Sequence, residues 1–147
     1  MTSYLIVANQ TMGGSELIED VRLRMEAGPC DFHLVVPATP PKEHLIWTEG
    51  EAKAIASQRL AAGLDRIRAM GAEATGEVGD SSPFLAVDDA MRHRDIDGVI
   101  VTTLPVGLSR WLKLSLPERI ERKHHVPVTH IVVHLDATVP RRRDAID

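Results

Sequence analysis

The chain has 147 residues, 44% hydrophobic and 26% charged, with a formal net charge of −4. That length suits one domain able to bury about two-thirds of its unfolded surface, and the mild negative balance argues against a dedicated nucleic-acid binder. The single cysteine, Cys30, excludes an internal disulfide and fits a reducing cytosol, while no apolar stretch approaches the ~20 residues of a membrane-spanning helix.

The first apolar run, residues 4–8 (YLIVA), is too short for a secretory signal and lacks a basic leader, so a cytoplasmic location is expected. Its unbroken apolar character predicts a strand covered on both faces. Gly13 and Gly14 punctuate the following loop, and Ser15 is the expected N-cap. Leu17, Ile18, Val21 and Met25 then repeat at helical spacing until Gly28-Pro29 stops the helix. Residues 31–36 (DFHLVV) read as a second strand. Beside it, Cys30 reads as a buried core thiol and His33 as a satisfied core or rim histidine. Pro37, Pro40 and Pro41 open a loop that runs to Trp47.

Thr48-x-x-Glu51 is a capping box. Ala52, Ile55, Ala56, Leu60, Leu64 and Ile67 form the inner stripe of a long helix ending near Gly71. Residues 72–78 make a weaker strand, Gly79-Asp80 turns the chain, and Ser82-Pro83 reads as an N-cap followed by Pro at the first helical position. Phe84, Val87 and Met91 supply that helix's buried face. Asp97-Gly98 opens the fourth strand, 98–101. Ser115-x-x-Glu118 predicts a second capping box, with Pro117 tolerated in the first turn. Ile120 should point inward, Glu121, Arg122 and Lys123 outward, and His124-His125 should close the helix. The last strand is 128–133. A polar tail from residue 136 carries Arg141, Arg142 and Arg143 as a solvated charge run.

Strands alternating with helical crossovers predict an α/β three-layer sandwich, with a five-stranded parallel sheet, as one domain over residues 1–147. In open sheets of this kind, ligands bind in the crevice at the carboxyl ends of the strands. That directs attention to residues 102–118.

The pieces YLIVAN, EVGDSSP, DGVIVTT and SLPERIERKHHVPVTHIVV, in that order, resemble the universal stress protein family of the adenine nucleotide alpha-hydrolase-like superfamily, across nearly the whole chain. The resemblance implies a flavodoxin-like sheet, a homodimer built through the last strand, and ATP or AMP bound at the ends of strands 1 and 4. The family's Gly-x2-Gly-x9-Gly loop would fall on Thr102, Pro105 and Leu114 or Ser115, none of them glycine. Such a loop works by presenting backbone N–H groups to phosphate. Pro105 has no N–H to give, and Leu114 would place an isobutyl group in the phosphate path. Asn9 stands where many members carry an aspartate that holds the nucleoside; it can hydrogen-bond a ribose or base without adding charge.

The nucleotide-binding candidates are therefore Asn9, Thr102, Thr103, Gly107, Ser109, Arg110 and Ser115. Thr102 and Thr103 offer hydroxyls in place of lost backbone donors. Ser109 and Ser115, with amides near Leu116 and Glu118, make a small anion site at a helix N-terminus. Arg110 and Lys113 add positive charge. Each has a plain structural role open to it: Ser115 as N-cap, Arg110 and Lys113 as a solvated face, and Trp111 as packing on a sheet edge or dimer contact. Two functions stay open: a nucleotide-binding stress-response protein with a modified phosphate loop, or a dimeric regulatory or interaction module that has lost the site.

Other chemistry finds little support. His130 and His134 share a strand face about 13 Å apart, too far to hold one metal ion. No Gly-x-Gly-x-x-Gly or Gly-x4-Gly-Lys-Ser/Thr run exists. The Ser-Gly-Gly-x-Asp-Ser loop of ATP pyrophosphatases is missing, and Asn9-Gln10 does not supply a receiver domain's acidic pair. No nucleophile–base pair can be placed from sequence.

Overall fold

Runs of apolar residues become the central strands. The computed structural model describes residues 1–9, 11–39, 48–105, 111 and 114–134. Its elements are β1 (Thr2–Val7), α1 (Ser15–Ala27), β2 (Cys30–Pro37), α2 (Glu49–Ala69), β3 (Glu73–Gly79), α3 (Pro83–His93), β4 (Gly98–Thr103), α4 (Leu116–His124) and β5 (Val128–Val132). All pairings are parallel, in the order β3-β2-β1-β4-β5, as an α/β sheet with helical crossovers requires. Pro37 closes β2 opposite Gly79 instead of opening the loop, and residues 40–47, Lys113 and the arginine tail lie outside the described residues.

The pleat divides the core between two faces. Ile6, Leu34 and Ile100 point to the side of α1 and α2, where Leu17, Val21, Ala52, Ala56 and Ile67 meet them. Leu5, Val7, Val35, Val99 and Val101 point to the side of α3 and α4, against Ala86, Val87, Ala90, Leu116 and Ile120. Fully burying one such aliphatic side chain contributes about 1.5–3 kcal/mol, so the two clusters hold the layers together. Trp111 joins the second cluster at 8% exposure, buried within the chain. Cys30 is half-buried and packs against the first cluster from its border, short of the full burial expected. Burial pushes its thiol pKa up.

Two of the predicted caps form. Thr48 Oγ1 accepts from the Glu51 amide at 3.0 Å, and Ser82 Oγ accepts from the Leu85 amide at 3.4 Å with Pro83 opening α3. Two do not. Gly14, not Ser15, caps α1, and no side chain caps there. A Cβ at Gly14 would run into the Val133 side chain, so this crossing needs glycine. Ser115 does precede α4, but at φ 54°, ψ 42° its side chain makes no cap bond, so the second capping box is absent. In the left-handed region its hydroxyl no longer reaches the amides that an extended N-cap residue serves. Only its carbonyl works, accepting from Arg119 N at 3.0 Å.

An ion-pair cluster centred on a buried carboxylate joins α3 to α4. The Asp88 carboxylate, 7% exposed as a residue, accepts from Lys123 Nζ at 2.6 Å and His124 Nε2 at 2.7 Å. Burial alone would raise its pKa, but these donated hydrogen bonds outweigh it and hold the carboxyl below its ordinary value.

Candidate functional site at the carboxyl ends of β1 and β4

β1 and β4 are neighbours, with Tyr4 opposite Gly98 and Val7 opposite Val101, so their carboxyl ends open on the same rim. Beyond β1 the chain turns tightly: Met12 N donates to Asn9 O at 3.2 Å and Gly14 N to Thr11 O at 3.1 Å. These bonds bring the loop over the end of β4.

The structure brings Asn9, Thr102 and Thr103 to this rim, and each side chain has a partner. Asn9 Nδ2 donates to the Pro37 carbonyl at 2.9 Å, while Arg59 Nη1 donates to Asn9 Oδ1. One amide thus links β1, β2 and α2. Thr11 Oγ1 lies 2.5 Å from Thr102 Oγ1 and donates to the Thr102 carbonyl at 3.3 Å. Thr11 has one proton, so Thr102 is the donor in the hydroxyl pair. Both threonines are buried. Thr103 Oγ1 lies 2.6 Å from His130 Nε2 on β5, and it too is buried.

Of the other candidates, Ser115 is exposed at the start of α4, and Gly107, Ser109 and Arg110 lie outside the described residues. Pro105 is half-buried, and Leu114 is 51% exposed. Sequence reasoning missed Thr11 and Arg59. Thr11 follows the first strand at a distance that would carry it over the rim, but Arg59 reads only as a polar position on a long helix.

A second junction closes the same end. Glu16 in the first turn of α1 accepts from the His134 amide at 3.1 Å, and His134 Nδ1 lies 3.0 Å from the same carboxylate oxygen. Burial works against ionisation of Glu16, yet the His134 hydrogen bonds leave its pKa lowered. His130 and His134 therefore engage separate partners, and the described residues contain no group of three or more potential metal ligands. His33 is satisfied, as expected, by Thr75 and Glu77. No described helix is long and apolar enough to cross a membrane.

No protein-family model matches the chain, and no curated protein matches it. Solved structures do. A universal stress protein from Archaeoglobus fulgidus aligns with a TM-score of 0.59 and 16% identity, over 89% of this chain and 93% of that one. A universal stress protein family member from Burkholderia pseudomallei aligns at 0.60 and 13%, covering 88% and 95%. A family member from Arabidopsis thaliana, solved with AMP bound, aligns at 0.61 and 12%, covering 95% and 97%. Near-complete coverage in both directions at such low identity is a statement about architecture. The chain has the universal stress protein fold.

Proposed function

We propose that this protein is a cytoplasmic, dimeric regulatory or interaction module on the universal stress protein fold, with its β1–β4 rim held closed by internal hydrogen bonds. The observation that carries this reading is the engagement of the rim's polar groups. Both ends of the Asn9 amide are taken, and Thr102 and Thr103 are buried and paired. A nucleotide contacting them would have to break bonds that are already made and protected from water. Thr102 and Pro105 at two of the family's glycine positions point the same way, because neither lets phosphate approach an open run of amides.

The dimer would form along β5, an outer strand of the sheet. Val133 N donates to Thr103 O and Val99 N to Pro127 O, so the odd-numbered backbone groups face β4 and Val128, His130 and Val132 turn theirs outward. An edge strand whose outward backbone groups pair with no other strand among the described residues calls for a partner strand. Light scattering at tens of micromolar should give twice the chain mass. Val132→Pro, which removes an outward N–H without touching the β4 ladder, should give a monomer. A monomeric wild type would overturn the dimer.

A second reading draws on the AMP-bound Arabidopsis structure. In it, ATP or AMP sits on Asn9, Thr102, Thr103, Gly107, Ser109, Arg110 and Ser115 after the rim opens. Direct nucleotide titration separates the two readings.

A further inference from the structure

At the opposite, amino-terminal end of the sheet, three side chains form a hydrogen-bonded chain. His33 on β2 is in register with Thr75 on β3, and Glu77 follows two residues later on the same face. Glu77 Oε2 lies 2.7 Å from His33 Nε2, and His33 Nδ1 lies 2.7 Å from Thr75 Oγ1. His33 is 4% exposed. A cavity of about 390 Å³ opens between these strands and the end of α3, lined by His33, Thr75 and Arg94 among others.

We propose that Glu77, His33 and Thr75 form a carboxylate–imidazole–hydroxyl relay that makes Thr75 an acyl acceptor for small uncharged esters entering this cavity. A carboxylate can only accept, so Nε2 carries the imidazole proton and the Nδ1 lone pair receives the Thr75 O–H. Burial lowers the His33 pKa, with Arg94 lowering it further against an opposing pull from Glu77, so the ring is a neutral base at pH 7. A nucleophile on a base that a third group orients is the arrangement of covalent acyl-transfer sites.

In the first step Thr75 Oγ bonds to the ester carbonyl carbon and its proton passes to His33 Nδ1. The carbon–alkoxy bond then breaks and the alcohol leaves with that proton. In the second step water gives a proton to Nδ1 and its oxygen bonds to the acyl carbon. Thr75 leaves, recovering the proton, and a carboxylic acid is released. Arg94 is the cation in the cavity available to the carbonyl oxygen as it gains charge. Asp31, Glu73 and Asp95 share the lining, which disfavours anionic substrates.

The test is p-nitrophenyl acetate hydrolysis by the full chain, with tandem mass spectrometry to locate acetyl groups. Acetyl should appear on Thr75, and Thr75→Ser should retain activity. Thr75→Ala and Glu77→Gln should lose it by roughly 10²-fold. Glu77 acts here through His33, as a positioning residue. The charged and titratable groups around His33 are Glu77 and Glu73 from β3, Asp31 from β2, His93 of α3, and Arg94 and Asp95 beyond it. Among these, Glu77 holds the His33 proton directly, so Glu77→Gln should also move the acid limb of the rate profile to lower pH. Acetylation confined to lysines or the amino terminus would overturn the proposal, as would a Thr75→Ala rate equal to wild type.

Discussion

The Oγ1 atoms of Thr11 and Thr102 lie 2.5 Å apart across the end of the sheet, buried from solvent. Thr11 belongs to the loop after β1 and Thr102 to β4, so this contact fastens the loop onto the strand beside it. Thr102→Val keeps the shape but takes away the donor to Thr11. Thr11 keeps its donation to the Thr102 carbonyl, so the loss is that of one net hydrogen bond, about 0.5–1.5 kcal/mol. Urea unfolding should show that loss with an unchanged m-value; an unaltered midpoint would mean that the pair does not hold the rim.

Gly14 and Val133 meet where the start of α1 crosses the chain leaving β5. Val133 is fully buried and its branched side chain has little rotamer freedom, so it cannot move aside for an added methyl. Gly14→Ala should destabilise by about 1–3 kcal/mol through overpacking. Val133→Ala in the same chain should recover part of that loss. Strictly additive effects in a double-mutant cycle would contradict the packing argument.

Asp88 is the electrostatic joint between α3 and α4. Asp88→Asn should cost about 1.5–3 kcal/mol near neutral pH, because it weakens two hydrogen bonds from charged or chargeable donors. The folded-state pKa of Asp88 is lowered, so its contribution is complete above the unfolded value of about 3.9 and is lost as pH falls through the folded one. The stability gap between wild type and variant should therefore narrow in denaturant titrations below about pH 4. A gap independent of pH would show that the carboxylate's charge is not involved.

Ser115 separates a sequence signature from its structural realisation. An N-cap serine replaced by alanine costs about 1 kcal/mol. With no cap bond made, Ser115→Ala should instead change stability by less than about 0.5 kcal/mol. Ser115→Gly should stabilise by up to about 1 kcal/mol, since glycine occupies the left-handed region without the Cβ clash. Thermal or urea unfolding of the two variants checks both values.

The layers, element order and most boundaries were legible because they rest on local signals. The apolar runs around Leu5 and Val99, the capping pairs at Thr48 and Ser82, and the Gly28-Pro29 stop each act within a few residues. What the sequence hid depends on distance in the fold. The Thr48 and Ser115 signatures read alike, yet the backbone arriving at Ser115 is left-handed. Asn9 was readable as a rim residue, but its capture by Pro37 and Arg59 spans 28 and 50 residues of chain. His33 was readable as satisfied. That its partners were a hydroxyl and a carboxylate followed only once the register placed it opposite Thr75. A single aromatic such as Trp111 carries no periodicity to show which cluster it joins.

In the proposed function the rim at the ends of β1 and β4 is closed. Calorimetric titration with ATP, ADP and AMP, with and without magnesium, on protein first checked for co-purified nucleotide, tests it most directly. No binding heat is expected at millimolar nucleotide. Micromolar binding that Asn9→Ala abolishes would contradict this closure and establish a rebuilt nucleotide site on this rim.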